Sequence, residues 1–153
     1  MVARVLFLSS SNSARSQMAE GFLRALAGDA FKAYSAGSVP RSLHPLAIDV
    51  MAERGIDISG QQPKGFRHYL GTAQFEHLIT VCDRAEKECP MFPGKGTREY
   101  WPVEDPAHEE GRTEEQLARF RAARDDIEAR VRRFLVERRY KHVVELSGSG
   151  ALA

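Results

Sequence analysis

The stretch with the clearest chemical potential runs from Ser9 to Arg15, a serine-rich loop between an apolar segment and a helical pattern. If the apolar segment is a parallel strand, the loop lies at the carboxyl end of that strand, where open α/β sheets bind ligands. Loop amides, the positive end of the following helix and the forked guanidinium of Arg15 would form a cradle for a tetrahedral oxyanion. The loop lacks Gly-Lys-Ser/Thr, so it does not match the nucleotide-binding P-loop.

Ser9, the first loop position, is where a nucleophile would stand to attack such an anion. A serine hydroxyl needs an adjacent general base, and no histidine lies near Ser9 in the sequence. We therefore expect the loop to bind an oxyanion without attacking it. The residues predicted to bind the oxyanion are Ser10, Ser11, Asn12, Ser13, Ala14, Arg15 and Ser16. The alternative is a serine-rich turn that only caps the helix, since Ser and Asn are preferred caps.

The chain has two cysteines, Cys82 and Cys89, with six residues between them. This spacing is not Cys-x-x-Cys, and no cluster of histidine and cysteine completes a zinc site. Two cysteines in a chain of 153 residues do not make a disulfide scaffold either. Spacing alone therefore predicts structural or incidental thiols, with no metal centre and no cofactor.

Strands and helices alternate along the chain. The pattern predicts strands at residues 3–8, 31–35, 75–82 and 98–101, long helices at 13–27, 45–54 and 113–139, and a short helix at 68–73. This order favours an α/β fold, a four-stranded parallel sheet with helices on both faces. We expect one domain over residues 1–145 and a flexible tail over residues 146–153.

Composition and charge limit the classes of partner. Apolar residues make up 42% of the chain, charged residues 28%, and the net charge is +1. This ordinary globular composition argues against nucleic-acid or membrane binding. No apolar run approaches the length of a membrane span, and the N-terminus does not resemble a signal peptide. We expect a cytoplasmic protein and, by default, a monomer.

The loop sequence "NSARSQMAEG" and the strand before it resemble the low-molecular-weight tyrosine phosphatase superfamily. The match is specific at Asn12, Ser13, Arg15 and Ser16, and it fails at Ser9, where the family carries its nucleophilic cysteine. A thiol in such a cradle loses its proton easily, whereas a hydroxyl does not. The resemblance therefore implies an inactive Cys-to-Ser variant. A deliberate replacement is the favoured explanation of Ser9, and a natural variant is the alternative.

The segment "VCDRAEKECP", residues 81–90, resembles the thioredoxin-coupled arsenate reductases of this superfamily. The resemblance implies that the loop nucleophile attacks arsenate and that Cys82 then releases arsenite by forming a disulfide with the nucleophile. Cys89 takes over that disulfide, and thioredoxin reduces the Cys82–Cys89 pair. Residues seven apart in a helix are about 10.5 Å apart along its axis, too far for a disulfide, so this segment would have to unwind. With Ser9 in place, only the final disulfide can form.

Asp105, followed by Pro106, matches the Asp-Pro general acid of the family, which protonates the leaving oxygen. The phosphatase branch continues with tyrosines that guide aromatic substrates. Here Ala107 and His108 follow, which disfavours a phosphotyrosine site. The alternative for Asp105 is a loop aspartate that only forms an Asx turn.

Some arsenate reductases bind potassium near the loop, and Asn12, Glu20 and Ser35 match those ligand positions. Lys64 stands where a further carboxylate is expected. We expect the Lys64 ammonium to replace the cation, so that the protein does not require potassium.

The leading interpretation is an arsenate reductase in which Ser9 occupies the nucleophile position and Arg15, Cys82, Cys89 and Asp105 are catalytic. Its expected partners are arsenate or phosphate and, as reductant, thioredoxin. One alternative is a low-molecular-weight phosphatase that hydrolyses phosphomonoesters. Another is a non-catalytic oxyanion-binding module.

Overall fold

Four parallel strands form one sheet, flanked by helices, in a computed structural model that describes residues 2–69, 74–82, 85, 87, 96–107 and 113–146. The strands are β1 (Ala3–Ser9), β2 (Phe31–Gly37), β3 (His77–Thr80) and β4 (Thr97–Tyr100), in the spatial order β2-β1-β3-β4. The helices are α1 (Arg15–Ala27), α2 (Pro45–Ala52) and α3 (Glu114–Glu137), with a 3₁₀ helix at Phe66–His68. The predicted four-stranded parallel α/β fold is confirmed.

Strand β1 lies in the interior of the sheet and is buried on both faces. Its residues Val5, Leu6, Phe7 and Leu8 have no exposed surface, as expected for a parallel strand with both faces covered. Val5 and Phe7 contact the main core, which contains the apolar faces of α1, α2 and α3. Leu6 and Leu8 belong to a smaller core on the other face. Burial of β1 fixes the position where the chain leaves the sheet at Ser9.

The layers on the two faces differ in kind. Helices α1, α2 and α3 all pack into the main core. In the described part of the chain, the other face is covered by Phe66 of the 3₁₀ helix, by Tyr69 and Phe75, and by the helical residue Ala85. Of the predicted helix at residues 68–73, only residues 68 and 69 are described; His68 ends the 3₁₀ helix that begins at Phe66, and residues 70–73 lie outside the described residues.

Helix α3 is long but amphipathic. Phe120, Ile127, Val131 and Phe134 form its buried side, and its other residues are largely charged. No helix in the described residues is long and apolar enough to cross a membrane. Beyond α3, Leu146 still packs against the main core, whereas the sequence predicts that it belongs to the flexible tail. Residues 147–153 of the predicted tail lie outside the described part of the chain.

Candidate active site

The loop between β1 and α1 is held by its carbonyl groups. Each carbonyl from residue 10 to residue 13 accepts a hydrogen bond from outside the cradle. Val39 N donates to Ser10 O (2.8 Å) and Arg41 N to Ser11 O (2.9 Å). Gln17 Nε2 donates to Asn12 O (3.0 Å) and His44 N to Ser13 O (2.8 Å). Backbone amides of segment 38–44 therefore hold the loop on one side, and the side chain of Gln17 in α1 holds it on another.

The amide groups of the loop face the opposite way. In a planar trans peptide the N–H points away from the C=O of the same unit, so outward carbonyls leave the next amides directed inward. The amides of Ser10, Ser11, Ser13 and Ala14 donate to no described residue. Unpaired amides beside a helix N-terminus form an anion site. The amide arrangement is compatible with the predicted oxyanion-binding loop, and anion binding by these residues stays a prediction.

The loop does not act as a helix cap. Helix α1 begins at Arg15 instead of Ser13, and its N-cap residue, Ala14, makes no capping hydrogen bond through a side chain. The hydroxyl of Ser13 bonds to that of Ser11 at 2.8 Å instead. Asn12 has a positive φ of 51°, which breaks the helical path just before α1. The alternative of a simple capping turn is therefore wrong.

The oxygen of Ser9 is buried at the base of the loop and lies between two hydrogen-bonding groups. The amide of Asn12 donates to Ser9 Oγ at 3.0 Å, and Ser16 Oγ lies 2.6 Å from Ser9 Oγ. Ser16 Oγ itself accepts a hydrogen bond from Asn12 Nδ2 at 2.8 Å. Groups that donate to one atom favour a negative charge on that atom. A thiolate at position 9 would be stabilised, whereas the serine hydroxyl has no base to take its proton among these contacts.

Arg15 is oriented before any ligand binds. One of its nitrogens, Nη1, donates to the carbonyl of Val103 at 2.9 Å, and Nη2 lies 3.8 Å from Asp105 Oδ2. Only about a tenth of the Arg15 side chain is exposed. The loop before α3 therefore holds the guanidinium in place at the wall of the cleft.

The two carboxylate oxygens of Asp105 have different contacts, and the predicted general-acid role stays a prediction. Its Oδ1 accepts a hydrogen bond from Ala107 N at 3.0 Å, which is an Asx turn. Its Oδ2 faces Arg15, and the side chain is half exposed. The turn orients the carboxyl group without using both oxygens. His108, the next predicted feature of this loop, lies outside the described residues.

These groups line one cleft of about 540 Å³. Among the predicted site residues it contacts Ser9, Ser10, Ser11, Ser13, Ala14, Arg15 and Asp105. The opposite wall contains Val39, Arg41, Ser42 and His44, which had not been predicted. Asn12 and Ser16 lie behind the cleft and act on it through hydrogen bonds. The cleft therefore combines a polar base, a carboxyl group and two arginines.

Cys82 lies near the loop but outside the cleft lining. It follows Val81, whose amide donates to Leu8 O at 2.8 Å, so Cys82 is at the same sheet edge as Ser9. Its side chain is buried in the smaller core, and its sulfur accepts a hydrogen bond from Ala85 N at 3.3 Å. Cys89 and the rest of residues 88–95 lie outside the described residues.

The region around Glu20 does not fit a bound potassium ion. Both carboxylate oxygens of this buried residue already accept hydrogen bonds, one from Ser35 Oγ at 2.6 Å and one from Arg24 Nη2 at 2.5 Å. The expectation that the Lys64 ammonium replaces the ion is wrong, because Lys64 Nζ donates to the carbonyl of Gln62. The positive charge comes from Arg24, one helical turn after Glu20. The i,i+4 spacing of these two residues could have revealed the pair.

Three further residues of the site were missed in the sequence. Gln17 and Gln61 bond to each other behind the loop, and an isolated glutamine gives no pattern that predicts such a contact. A Cβ added to Gly37 would lie 2.7 Å from Asn12 N and 2.9 Å from Ser10 O, so the loop backbone passes directly over this glycine. A glycine at the end of a strand was the available signal, because close backbone approach is a frequent reason for it.

Comparisons with known proteins agree with this geometry. A family model described as low molecular weight phosphotyrosine protein phosphatase matches residues 4–145. Arsenate reductases from Shouchella clausii and Bacillus subtilis are each 41% identical over 131 residues, covering 85% of this chain and 93% of theirs. An arsenate reductase solved in its phosphate-binding state has a TM-score of 0.71 and 29% identity, covering 89% of this chain and 98% of that one.

A second solved structure is described as thioredoxin-dependent. The thioredoxin-dependent arsenate reductase of Corynebacterium glutamicum has a TM-score of 0.64 and 29% identity. The match covers 89% of this chain and 61% of that one, so this chain spans less than two thirds of that relative.

Proposed function

The chain belongs to the low molecular weight phosphotyrosine protein phosphatase family, and from this premise we propose that its cleft is an arsenate-reducing site that binds arsenate or phosphate. The proposal depends on one observation above all. The side-chain oxygen at position 9 is flanked by Asn12 N and Ser16 Oγ at the base of a loop whose amides face the cleft. That arrangement suits an anionic nucleophile beneath an anionic substrate.

With cysteine at position 9, the thiolate attacks arsenic, and an arsenate oxygen leaves as water after accepting a proton. Asp105 supplies that proton, because its Oδ2 faces the cleft beside Arg15. Cys82 then attacks the sulfur at position 9. The sulfur–arsenic bond breaks with its electron pair on arsenic, so arsenic(V) becomes arsenic(III) and leaves as arsenite. A disulfide between position 9 and Cys82 remains.

Cys89 completes the proposed relay by attacking Cys82, which frees the thiolate at position 9 and leaves a Cys82–Cys89 disulfide. A dithiol of the thioredoxin class reduces that disulfide, in keeping with the thioredoxin-dependent relative. The chain with Ser9 cannot begin this sequence, because it lacks the first thiol. In this form the proposed function is reduced to oxyanion binding.

The test is arsenite production by the Ser9→Cys protein supplied with thioredoxin, thioredoxin reductase and NADPH. We expect sustained turnover that is abolished by Cys82→Ser, and no arsenite from the Ser9 chain. Hydrolysis of a phosphomonoester that survives Cys82→Ser, without arsenite formation, would establish the phosphatase alternative. Phosphate binding without either reaction would leave only the binding module.

A further inference from the structure

Six polar side chains form one continuous hydrogen-bonded chain from the surface of α1 to position 9. Its order is Arg24, Gln61, Gln17, Asn12, Ser16 and Ser9. The successive distances are 3.0 Å (Arg24 Nη1 to Gln61 Oε1), 2.8 Å (Gln61 Nε2 to Gln17 Oε1), 3.0 Å (Gln17 Nε2 to Asn12 Oδ1), 2.8 Å (Asn12 Nδ2 to Ser16 Oγ) and 2.6 Å (Ser16 Oγ to Ser9 Oγ).

The outer half of the hydrogen-bonded chain, from Arg24 to Gln17, has a fixed donor-to-acceptor direction, because some of its groups can only donate or only accept hydrogen bonds. A guanidinium only donates hydrogen bonds, so the amide oxygen of Gln61 must face Arg24. The nitrogen of Gln61 also donates to the backbone carbonyl of Gln17 at 3.0 Å, and a carbonyl only accepts. Gln61 therefore has a single amide orientation, and its nitrogen meets the side-chain oxygen of Gln17.

The inner half is fixed in the same way. Asn12 Oδ1 accepts from Gln17 Nε2 and from the backbone amide of Lys64 at 2.8 Å. Because an amide N–H only donates, the nitrogen of the Asn12 side chain must point to Ser16. The oxygen of Ser16 accepts that bond, and its own hydrogen is available for residue 9.

We propose that Gln17 and Gln61 are positioning residues that, together with the Lys64 backbone amide, hold this chain in one direction, so that the Ser16 hydroxyl donates to the atom at position 9. The inference rests on the proposed function, in which a thiolate at that position attacks the oxyanion. A donor directed at a thiolate favours the charged form and lowers the pKa of the thiol. Aligned hydrogen bonds also strengthen one another, and the three inner bonds of this chain are buried.

The chain offers a direct test, because it has only two cysteines of its own. In the full-length protein carrying Ser9→Cys, Cys82→Ser and Cys89→Ser, the thiol at position 9 is the only one. Its titration follows from the rate of alkylation by iodoacetamide between about pH 4 and about pH 9. Gln61→Met and Gln17→Met keep the side-chain length but remove the amide. We expect each to raise the thiol pKa by about one unit, which is about tenfold slower alkylation below the pKa.

The control is Glu128→Gln, which weakens a buried ion pair between the end of α2 and α3, outside the cleft lining. It is expected to lower the melting temperature without changing the thiol titration. Phosphate affinity is measured in the same variants of the Ser9 chain, where we expect changes of less than about threefold. A thiol shift with phosphate affinity retained, absent in the control, supports the proposal.

Two results would overturn it: an unchanged thiol titration in folded Gln61→Met, or a thiol shift accompanied by loss of phosphate binding, which indicates collapse of the loop. Gln61 is only partly buried, so this variant decides the matter if Gln17→Met does not fold. Failure of the Ser9 chain itself to bind phosphate would contradict the proposed oxyanion site, while the thiol titration would still decide the role of the glutamines.

Discussion

Ser9 occupies a position whose surroundings favour a negative charge. The amide of Asn12 donates to its oxygen, and Ser16 lies within hydrogen-bonding distance. A thiol there loses its proton readily, since helix dipole, amides and guanidinium all act on the charged form. The hydroxyl of serine starts far less acidic, and the same contacts cannot make it a nucleophile without a base.

Asp105 allows a prediction at the same scale. In the Ser9→Cys protein, Asp105→Asn should lower kcat by about a hundredfold or more with little change in KM, because a general acid acts only as the leaving oxygen gains charge. The measurement is the initial rate of arsenite release at saturating and limiting arsenate.

The neighbouring carboxylate is the control for this variant. Glu104→Gln removes a similar charge one residue away and is expected to change kcat by less than about twofold. Equal losses in the two variants would show that the loop responds to net charge and would contradict a specific role for Asp105.

At the scale of elements, the end of β2 supports the anion loop. The Cβ of an alanine at position 37 would press on backbone atoms of residues 10–12, which cannot move aside as a flexible side chain could. Gly37→Ala should therefore weaken phosphate binding by about tenfold or more, a loss of about 1.4 kcal/mol. Isothermal titration with phosphate measures the effect.

Gly60→Ala is the matched control, because nothing lies within 4 Å of an added Cβ at that position. Its phosphate affinity should equal that of the unchanged chain. If Gly37→Ala bound phosphate as tightly, the loop would not depend on close approach to the end of β2.

Arg24 and Glu20 join α1 to the hydroxyl of Ser35 in β2. Because a guanidinium already neutralises the buried Glu20, exchanging sodium for potassium should leave the arsenate turnover of the Ser9→Cys protein and its melting temperature unchanged. Activation of several fold by potassium would contradict this.

Arg24→Met should lower the free energy of unfolding by about 2 kcal/mol, since it leaves Glu20 without its cation.

At the scale of the whole molecule, ion pairs join the end of α2 to α3. Burial alone would raise the pKa of Glu128, but the hydrogen bonds and charges of Arg54 and Arg132 outweigh it and lower the pKa below 4.5. A hydrogen bond from Arg121 lowers the pKa of Glu53 most, and with the hydrogen bond from Arg124 and the charges of both arginines it outweighs the raising effect of burial. These pairs hold the helical layer together away from the cleft.

The pH dependence of stability follows from these lowered values. A carboxyl group with a lower pKa in the folded state stabilises the fold above its unfolded pKa, near 4.5, and that contribution disappears as the pH falls through the folded value. At neutral pH, Glu128→Gln should lower the free energy of unfolding by about 2 kcal/mol, and below about pH 4.5 this free energy should fall less with pH than in the unchanged chain. Thermal melting between about pH 7 and about pH 3 measures both slopes.

Glu137→Gln provides the comparison on the same helix, at an exposed residue. Its melting curve should follow that of the unchanged chain across this range. A Glu128→Gln protein with an undiminished acid slope would show that other carboxyl groups cause the loss of stability in acid.

The order of strands and helices could be predicted from the sequence, and so could the position of the polar loop between β1 and α1. Continuous apolar residues predict β1, and a helical apolar stripe predicts α3, because both signals depend on residues close together in the chain. The spacing of Ser9 and Arg15 predicts an oxyanion cradle between a strand and a helix, because these residues too are close together in the chain. These features follow from local periodicity, which folding preserves.

The surroundings of that cradle could not be predicted, because they come from contacts between distant parts of the chain. Segment 38–44 fixes the direction of the loop amides, and Gly37 makes room for the loop backbone. Arg24, and not Lys64, pairs with Glu20, while Gln61 reaches Gln17 across 44 residues of sequence. Such contacts depend on how separate elements pack against each other, and no periodicity in the chain encodes the partner of a single polar side chain.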